Sequence, residues 1–245
     1  MNAVINLLKN HRSIRKFTEQ QLTDEQIQTI VESAQAASTS SYYQAYSIIG
    51  VTDPELKKEL RKVSGQSYVE NNAHLFVFCA DLNRMLQSQN EDTQEKMKQN
   101  FENTEFFMMA CIDSALAAQN AVIAAESMGL GICYIGSLRN NIARVNELLK
   151  LPDFVIPLFG IVVGYPDEKP ELKPRFNLDA IYFENQYNLK NENIKQFDEV
   201  TEKYYEKRST NNRKDNWSNQ IGSKLVHPIR MDVGPFVKSK GFNKQ

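Results

Sequence analysis

Residues 106–139 read FFMMACIDSALAAQNAVIAAESMGLGICYIGSLR, and this stretch decides the fold. From Phe106 to Met128 it is apolar on nearly every side and rich in alanine, the strongest helix former, so it predicts a long helix buried in a core or an interface. Asp113, Gln119, Asn120 and Glu126 interrupt it too often for about twenty residues of hydrocarbon, which argues against a membrane span. Gly129 and Gly131 close the helix, and ICYIGSL is expected to follow as a strand.

Helices and strands alternate on both sides of this stretch. Upstream, LFVFCAD at 75–81 is a continuous apolar run of the kind that forms a strand buried on both faces. YSIIGV at 46–51 predicts a second strand, and Leu56, Leu60 and Val63 mark a helix between them. Thr23 with Gln26 forms a capping box, and Leu22 with Ile27 a hydrophobic staple, so a helix starts there and is expected to end near Ala37. Val4, Leu7 and Leu8 repeat at helical spacing ahead of HRSIRKF. Downstream, Asn141 is expected to cap a helix carrying Ile142, Val145, Leu148 and Leu149. VIPLFGIVVGYP at 155–166 predicts another buried strand, ended by Tyr165 and Pro166.

The alternation implies an α/β or α+β fold with a central mixed sheet. After Pro174 the apolar density falls, and Ile194, Phe197, Val200 and Tyr204 mark one amphipathic helix in a polar tail. Residues 1–184 therefore read as the core and 185–245 as an arm of the same domain.

The chain has 245 residues with 29 Lys+Arg against 30 Asp+Glu, a net charge of -1, and is 41% apolar, which describes an ordinary globular protein. That balance lacks the basic surplus of a protein that coats nucleic acid. Met1 to Phe17 holds Lys9, His11, Arg12, Arg15 and Lys16, so it is no secretory signal, and the chain is expected in the cytoplasm. Cys79, Cys111 and Cys133 lie in apolar runs without a CxxC pair, and the histidines are scattered. Structural disulfides and a metal site are not expected.

No GxxxxGK[ST] run supports nucleotide triphosphate chemistry. GLGICYIG follows a helix and enters a strand, the reverse of a dinucleotide-binding turn, which leaves a strand and opens a helix. GxSxG is absent, and Ser137 lacks the glycines of a nucleophile elbow. What remains is cationic. His11, Arg12, Ser13 and Arg15 form either a solvated basic turn or an anion site, because guanidinium forks and a hydroxyl match phosphate oxygens. Lys173-Pro174-Arg175 is a second basic pair held extended by its proline.

HRSIR, the hydroxyl-rich loop Ser38-Thr39-Ser40-Ser41, Cys133-Tyr134-Ile135-Gly136 and Leu172-Lys173-Pro174-Arg175 together resemble the FMN-dependent nitroreductase superfamily, in its NADPH-preferring flavin reductase/nitroreductase branch. AAESMGLG, LRNNI, LLKLP, PLFG and the tail motif Arg208-Ser209-Thr210-Asn211-Asn212-Arg213 extend the resemblance over nearly the whole chain. It implies an α+β nitroreductase-like fold, a central mixed sheet flanked by helices, and a homodimer whose C-terminal arm swaps onto the partner. Two FMN sites would lie at the subunit interface.

By that resemblance, His11, Arg12, Ser13, Lys173 and Arg175 hold the FMN phosphate end, and Arg15 lies nearer the ring, where a cation stabilises charge arriving with a hydride. Gln66 contacts the pyrimidine edge. Tyr134, Ile135, Gly136 and Ser137 run along the ring. Ser38, Thr39 and Ser40 reach the flavin from the other subunit, and Ser41 and Tyr42 border the NADPH or substrate space. Arg208 and Arg213 match tail arginines for the 2'-phosphate of NADPH, although a solvated basic face accounts for them equally.

The implied chemistry is ping-pong hydride transfer from NADPH through FMN to nitroaromatics, quinones or free flavin. Alternatives are an enzyme that mainly supplies reduced FMN or reduces low-molecular-weight disulfides, and a non-enzymatic flavin-based redox sensor. No side chain is needed as nucleophile, and no nucleic acid or membrane partner is implied. The chain departs from the family pattern at GICYIGS, where relatives carry GGVYIGG, and at Asp232-Val233-Gly234, where an arginine often stands. Cys133 beside the flavin raises thiol chemistry, against an inert buried thiol.

Overall fold

The computed structural model describes residues 2–208 and 211–245. Ser209 and Thr210 of the tail motif lie outside them. The elements run α1 (Ala3–Lys9), α2 (Asp24–Gln35), β1 (Tyr46–Val51), α3 (Pro54–Ser64), β2 (His74–Asp81), α4 (Asn83–Gln87) and α5 (Glu91–Phe101). They continue with α6 (Thr104–Ser127), β3 (Gly131–Ile135), α7 (Ile142–Leu149), β4 (Val155–Gly164), α8 (Asn191–Lys207), α9 (Trp217–Leu225) and α10 (Val233–Ser239). The chain divides into two compact units, Met1–Pro170 with Arg230–Gln245, and Glu171–Ile229. The break expected at 184/185 falls inside the second unit.

In the first unit a four-stranded sheet runs β1-β2-β4-β3. Every pairing between named strands is antiparallel. The mixed character expected from the sequence is reduced to an isolated parallel bridge between Ser13 and Ile132, on the edge of β3 that β4 leaves free. Both faces of the sheet are covered, which is why β2 and β4 read as unbroken apolar runs. Phe76, Phe78, Ile132 and Ile161 pack with Ile30 and Ala34 of α2 and with the alanines of α6. Leu75, Val77, Cys79, Cys133 and Ile135 point the other way, against Leu60 of α3 and Val145 of α7. At one end Phe101, Phe154, Phe242 and Val237 close a third cluster with α4, α5 and α10.

The capping box of α2 forms as the sequence predicts, with Gln26 N–H donating to Thr23 Oγ1 and Thr23 N–H to Gln26 Oε1. The helix ends at Gln35, short of Ala37. Asn141 caps α7 as expected. β3 stops at Ile135, and Gly136–Asn141 turns into a 3-10 helix, so the strand expected over ICYIGSL is five residues long. The turn seats Leu138 in the core and brings Arg139 against the Leu158 carbonyl, which a continued strand could not do.

Helix α6 is the spine of this unit. Ala117, Ala118, Ala121 and Ala125 lie buried on the sheet, their small side chains allowing close approach. The opposite face leaves Met108, Ile112 and Leu116 52%, 53% and 46% exposed. By length and apolarity alone this helix could cross a membrane, a test that the core helix of a soluble protein also passes. In the second unit, Phe176 stacks on Phe197 of α8 at 3.8 Å between ring centres, and Trp217 of α9 meets both edge-on. Asp198 and Thr201 of α8 accept the Ser218 and Trp217 N–H groups, so α8 caps α9.

Candidate functional site

The free edge of β3 organises the site. Ile14, buried against Gly131, donates its N–H to the Ile132 carbonyl at 2.8 Å, and a Cβ on Gly131 would stand 2.7 Å from Ile14 Cγ1. This close fit holds residues 11–15 beside the strand that carries Tyr134 and Ile135. The structure thus brings together His11, Arg12, Ser13, Arg15 and the segment Tyr134–Ser137.

His11 Nδ1 pairs with Glu126 Oε1 of α6 at 2.6 Å. Arg12 is oriented by carbonyls, its Nε donating to Pro170 O at 2.9 Å and Nη1 to Asn10 O at 2.8 Å. No carboxylate pairs with Arg12 among the described residues. Arg15 donates its backbone N–H to Glu168 Oε1 at 2.6 Å, while its guanidinium reaches back to the Ser13 carbonyl. Tyr68, two residues after Gln66, lies near enough to Arg15 and Cys133 to interact with both, burial raising its phenol and Arg15 opposing.

Tyr134 is 39% exposed, with its ring edge against Phe159 and its hydroxyl within 3.4 Å of Gln119 Oε1. Burial pushes its phenol up to about 12, helped by Glu126, so it stays protonated at neutral pH. Cys133 points into the opposite face. Burial raises its thiol, with Arg15 opposing, so it is protonated and a poor nucleophile.

Ser38 through Tyr42 lie elsewhere in the unit. Ser40–Tyr42 make a 3-10 turn in which Ser41 and Tyr42 have φ of 47° and 61°, and Gln44 follows at 50°. Asp113, fully buried on α6, holds this loop: Oδ1 accepts the Ser40 N–H at 2.9 Å and Oδ2 the Ala45 N–H at 3.1 Å. No hydrogen bond or ion pair joins the loop to 11–15 or 134–137 among the described residues.

In the second unit Lys173 and Arg175 are exposed, and Arg175 folds its guanidinium onto the carbonyls of Lys173 and Pro174. Lys203, Tyr204, Lys207 and Arg208 line an open pocket of about 220 Å³ with Glu171 and Val200. Arg208 lies over the rings of Tyr204 and Tyr205, and its buried Nε has no hydrogen-bond partner among the described residues. Arg213 sits over Tyr205 at 4.3 Å and pairs with Asp215 at 3.2 Å, so its charge is already compensated.

The donors along the β3 edge fit a phosphorylated, polar-edged planar cofactor. Arg12 is oriented without an acid, the Ser13 hydroxyl makes no hydrogen bond among the described residues, and Gly136 lacks a side chain beside the exposed Tyr134. Asp113, Glu126, Tyr68 and Glu168 were missed as supporting residues. The signal for two of them was present, since an acid in an otherwise apolar helix must find a partner when buried.

Comparison with known proteins agrees with this arrangement. A model of the nitroreductase family matches residues 8–165, and one of the nitroreductase family C-terminal domain matches 173–245. An FMN reductase (NADPH) from Bacillus subtilis is 52% identical over 249 residues, covering all of both chains. An NADPH-dependent oxidoreductase from Staphylococcus haemolyticus is 44% identical, covering 99% of this chain and 98% of its own. The NfrA1 nitroreductase structure from B. subtilis superposes with a TM-score of 0.93 at 51% identity, covering 99% of this chain and 100% of its own. The NADPH:FMN oxidoreductase of Vibrio harveyi, solved with NAD+, superposes at 0.90 and 42% identity with complete coverage of both. With family models spanning both parts of the chain and a relative 52% identical along its full length, this chain belongs to the nitroreductase family.

Proposed function

We propose that the chain is an NADPH-dependent FMN oxidoreductase that works as a homodimer on small-molecule acceptors such as nitroaromatics, quinones and free flavin. The observation that carries this reading is the donor set on the free edge of β3, where neither Arg12 nor Ser13 meets an acid among the described residues. Bound there, FMN would supply hydride chemistry, taking electrons from NADPH and passing them to the acceptor in a second half-reaction.

The residues divide the remaining work. Arg12 and Ser13 bind the phosphate, with His11 beside them held by Glu126. Arg15, steadied by Tyr68, sets a positive charge at the polar end of the ring, which favours the reduced state. Gln66 reads the pyrimidine edge, and Tyr134 through Ser137 give a backbone edge without bulk at Gly136. Ser38 to Tyr42 reach the second subunit's flavin, in keeping with a loop that Asp113 clamps and that makes no bond to residues 11–15 among the described residues. The exposed stripe Met108, Ile112 and Leu116 on α6 supports pairing of two copies through that helix.

For the donor, Arg208 is the stronger candidate at the 2'-phosphate, because its Nε has no partner among the described residues whereas Arg213 is neutralised by Asp215. Arg208→Ala should raise the KM for NADPH about tenfold or more and leave that for NADH nearly unchanged. Arg213→Ala should do less. The cofactor reading is tested by titrating flavin-free protein with FMN and following flavin fluorescence. Saturable quenching at one FMN per chain, weakened at least tenfold in Arg12→Ala, is expected; an absence of uptake would refute it.

A further inference from the structure

The functions assigned above leave Glu168 without a task, although it stands at the cationic run itself. Residues 12–18 lie between two partners. On one side Ile14 N–H reaches the Ile132 carbonyl of β3. On the other, the segment 165–170 that leaves β4 runs antiparallel to them. Thr18 N–H donates to the Tyr165 carbonyl at 2.9 Å, Phe17 and Pro166 form an antiparallel bridge, and Asp167 N–H donates to the Lys16 carbonyl at 2.9 Å. Arg12 Nε on the Pro170 carbonyl, also at 2.9 Å, ties the far end. A Cβ on Gly164 would stand 2.9 Å from Phe17 Cδ1, so the approach leaves no room for a side chain there.

At Arg15 the pattern changes. A carboxylate takes the place of a backbone acceptor, Glu168 Oε1 receiving the Arg15 N–H at 2.6 Å in a charge-assisted bond. Glu168 is half-buried, while Asp167 and Lys169 on either side are exposed. Its carboxylate forms no ion pair among the described residues, and the Arg15 guanidinium turns away to the Ser13 carbonyl. Both charges are felt on β3: burial raises the Cys133 thiol most, Arg15 then lowers it, and Glu168 more weakly raises it. A backbone carbonyl would satisfy the same N–H, so the carboxylate brings a negative charge that the hydrogen bond alone does not require.

We propose that Glu168 is a positioning residue that holds Arg15 at the polar end of the flavin and, through its charge, partly offsets Arg15 there. The bound flavin is then a stronger reductant than Arg15 alone would leave it. A ring that takes up a hydride, two electrons with one proton, gains one negative charge. Arg15 stabilises that charge and Glu168 opposes it, with the larger effect belonging to the cation, as at Cys133. This deepens the flavin reading and rests on it.

The test is the midpoint potential of the FMN-loaded protein, read by anaerobic equilibration with a reference dye. Beside it stands the affinity of flavin-free protein for oxidised FMN, read by fluorescence. Glu168→Gln keeps an oxygen for the Arg15 N–H and removes the charge. It should leave the affinity for oxidised FMN within about twofold of wild type and raise that for reduced FMN about tenfold, a potential ~30 mV higher for this two-electron couple. Glu168→Ala removes the acceptor as well, so it should weaken oxidised FMN about fivefold through lost positioning. A potential in Glu168→Gln equal to wild type or lower overturns the proposal, since a purely structural glutamate would behave so. Oxidised FMN bound as tightly by Glu168→Ala as by wild type also overturns it, because Arg15 would then need no carboxylate. Wild-type protein that takes up no FMN overturns the flavin reading and this proposal with it, whereas uptake with an unmoved potential overturns this one alone.

Discussion

Replacing Asp113 by alanine should loosen the loop that carries Ser38 to Tyr42, and the size of the effect follows from the contacts. The carboxylate accepts two backbone N–H groups, from Ser40 at 2.9 Å and Ala45 at 3.1 Å, on a residue with no solvent exposure. Hydrogen bonds to a charged group contribute about 1.5–3 kcal/mol each, so the clamp supplies about 3–6 kcal/mol. Against this stand three side-chain-bearing residues in the left-handed region, Ser41, Tyr42 and Gln44, each costing about 1–2 kcal/mol. The terms are comparable, so without the carboxylate the loop relaxes and recovers its strain. What remains is the orphaned Ala45 N–H, buried at 0% exposure, and the cavity, for a net loss of about 3 kcal/mol.

Urea denaturation of flavin-free protein at one fixed concentration, followed by Trp217 fluorescence and circular dichroism, should show the midpoint falling by about 1 M. Hydrogen exchange should show faster exchange at Ser40 and Ala45 than in wild type. Asp113→Asn keeps the shape but turns an amide donor toward one of the two N–H groups, so it should lose about 2 kcal/mol. A midpoint unchanged within error in Asp113→Ala, with both amides still protected, would refute the clamp.

Three further outcomes follow from the packing. Gly131→Ala drives a Cβ into Ile14, which is itself tied to Ile132, so it should cost about 1–3 kcal/mol and weaken FMN binding at least tenfold; unchanged FMN affinity would show that residues 11–15 are not positioned by this fit. Tyr68→Phe removes the hydroxyl that steadies Arg15 and should weaken FMN about fivefold, whereas equal affinity by fluorescence titration would leave Arg15 positioned by its backbone alone. His74 is buried with its Nε2 unpartnered among the described residues, and burial, with Lys57 second, brings its pKa down from 6.5 to about 4. Since the unfolded chain takes the proton first, stability should be full above pH 6.5 and fall as the pH drops toward 4, by at most ~3 kcal/mol. His74→Phe should flatten that slope in urea midpoints measured across the range, and a slope identical to wild type would assign it to other groups.

The parts of the fold legible in the sequence were those whose cause is local. β2 and β4 announced themselves because burial on both faces leaves no polar alternation, and α2 because its cap and staple lie within a few residues. The helices α4, α5, α9 and α10 were not foreseen. α4 and α5 are mostly polar, and α10 is held by Phe154 and Phe242, partners remote from it or outside the helix itself. The sheet was expected to be mixed because helices separate its strands, yet β2, β3 and β4 pair antiparallel, and the parallel contact comes from an irregular segment at Ser13.

The candidate site divides in the same way. His11, Arg12, Ser13 and Arg15 stood out as a short cationic run, and the resemblance supplied Tyr134 to Ser137; the bridge to Ile132 then brings the two together. Asp113 and Glu126 were read only as interruptions of an apolar helix, because their partners, Ser40, Ala45 and His11, are far off in sequence. Glu168 was invisible for the same reason, since nothing near it in the chain points to Arg15.

The most direct test of the central claim is the anaerobic visible spectrum of the FMN-reconstituted protein before and after NADPH, with NADH run alongside. Flavin bands that NADPH bleaches and that an added nitroaromatic or quinone restores are expected. Bands that NADPH leaves untouched would contradict it and point to a flavin-binding protein without this reductase activity.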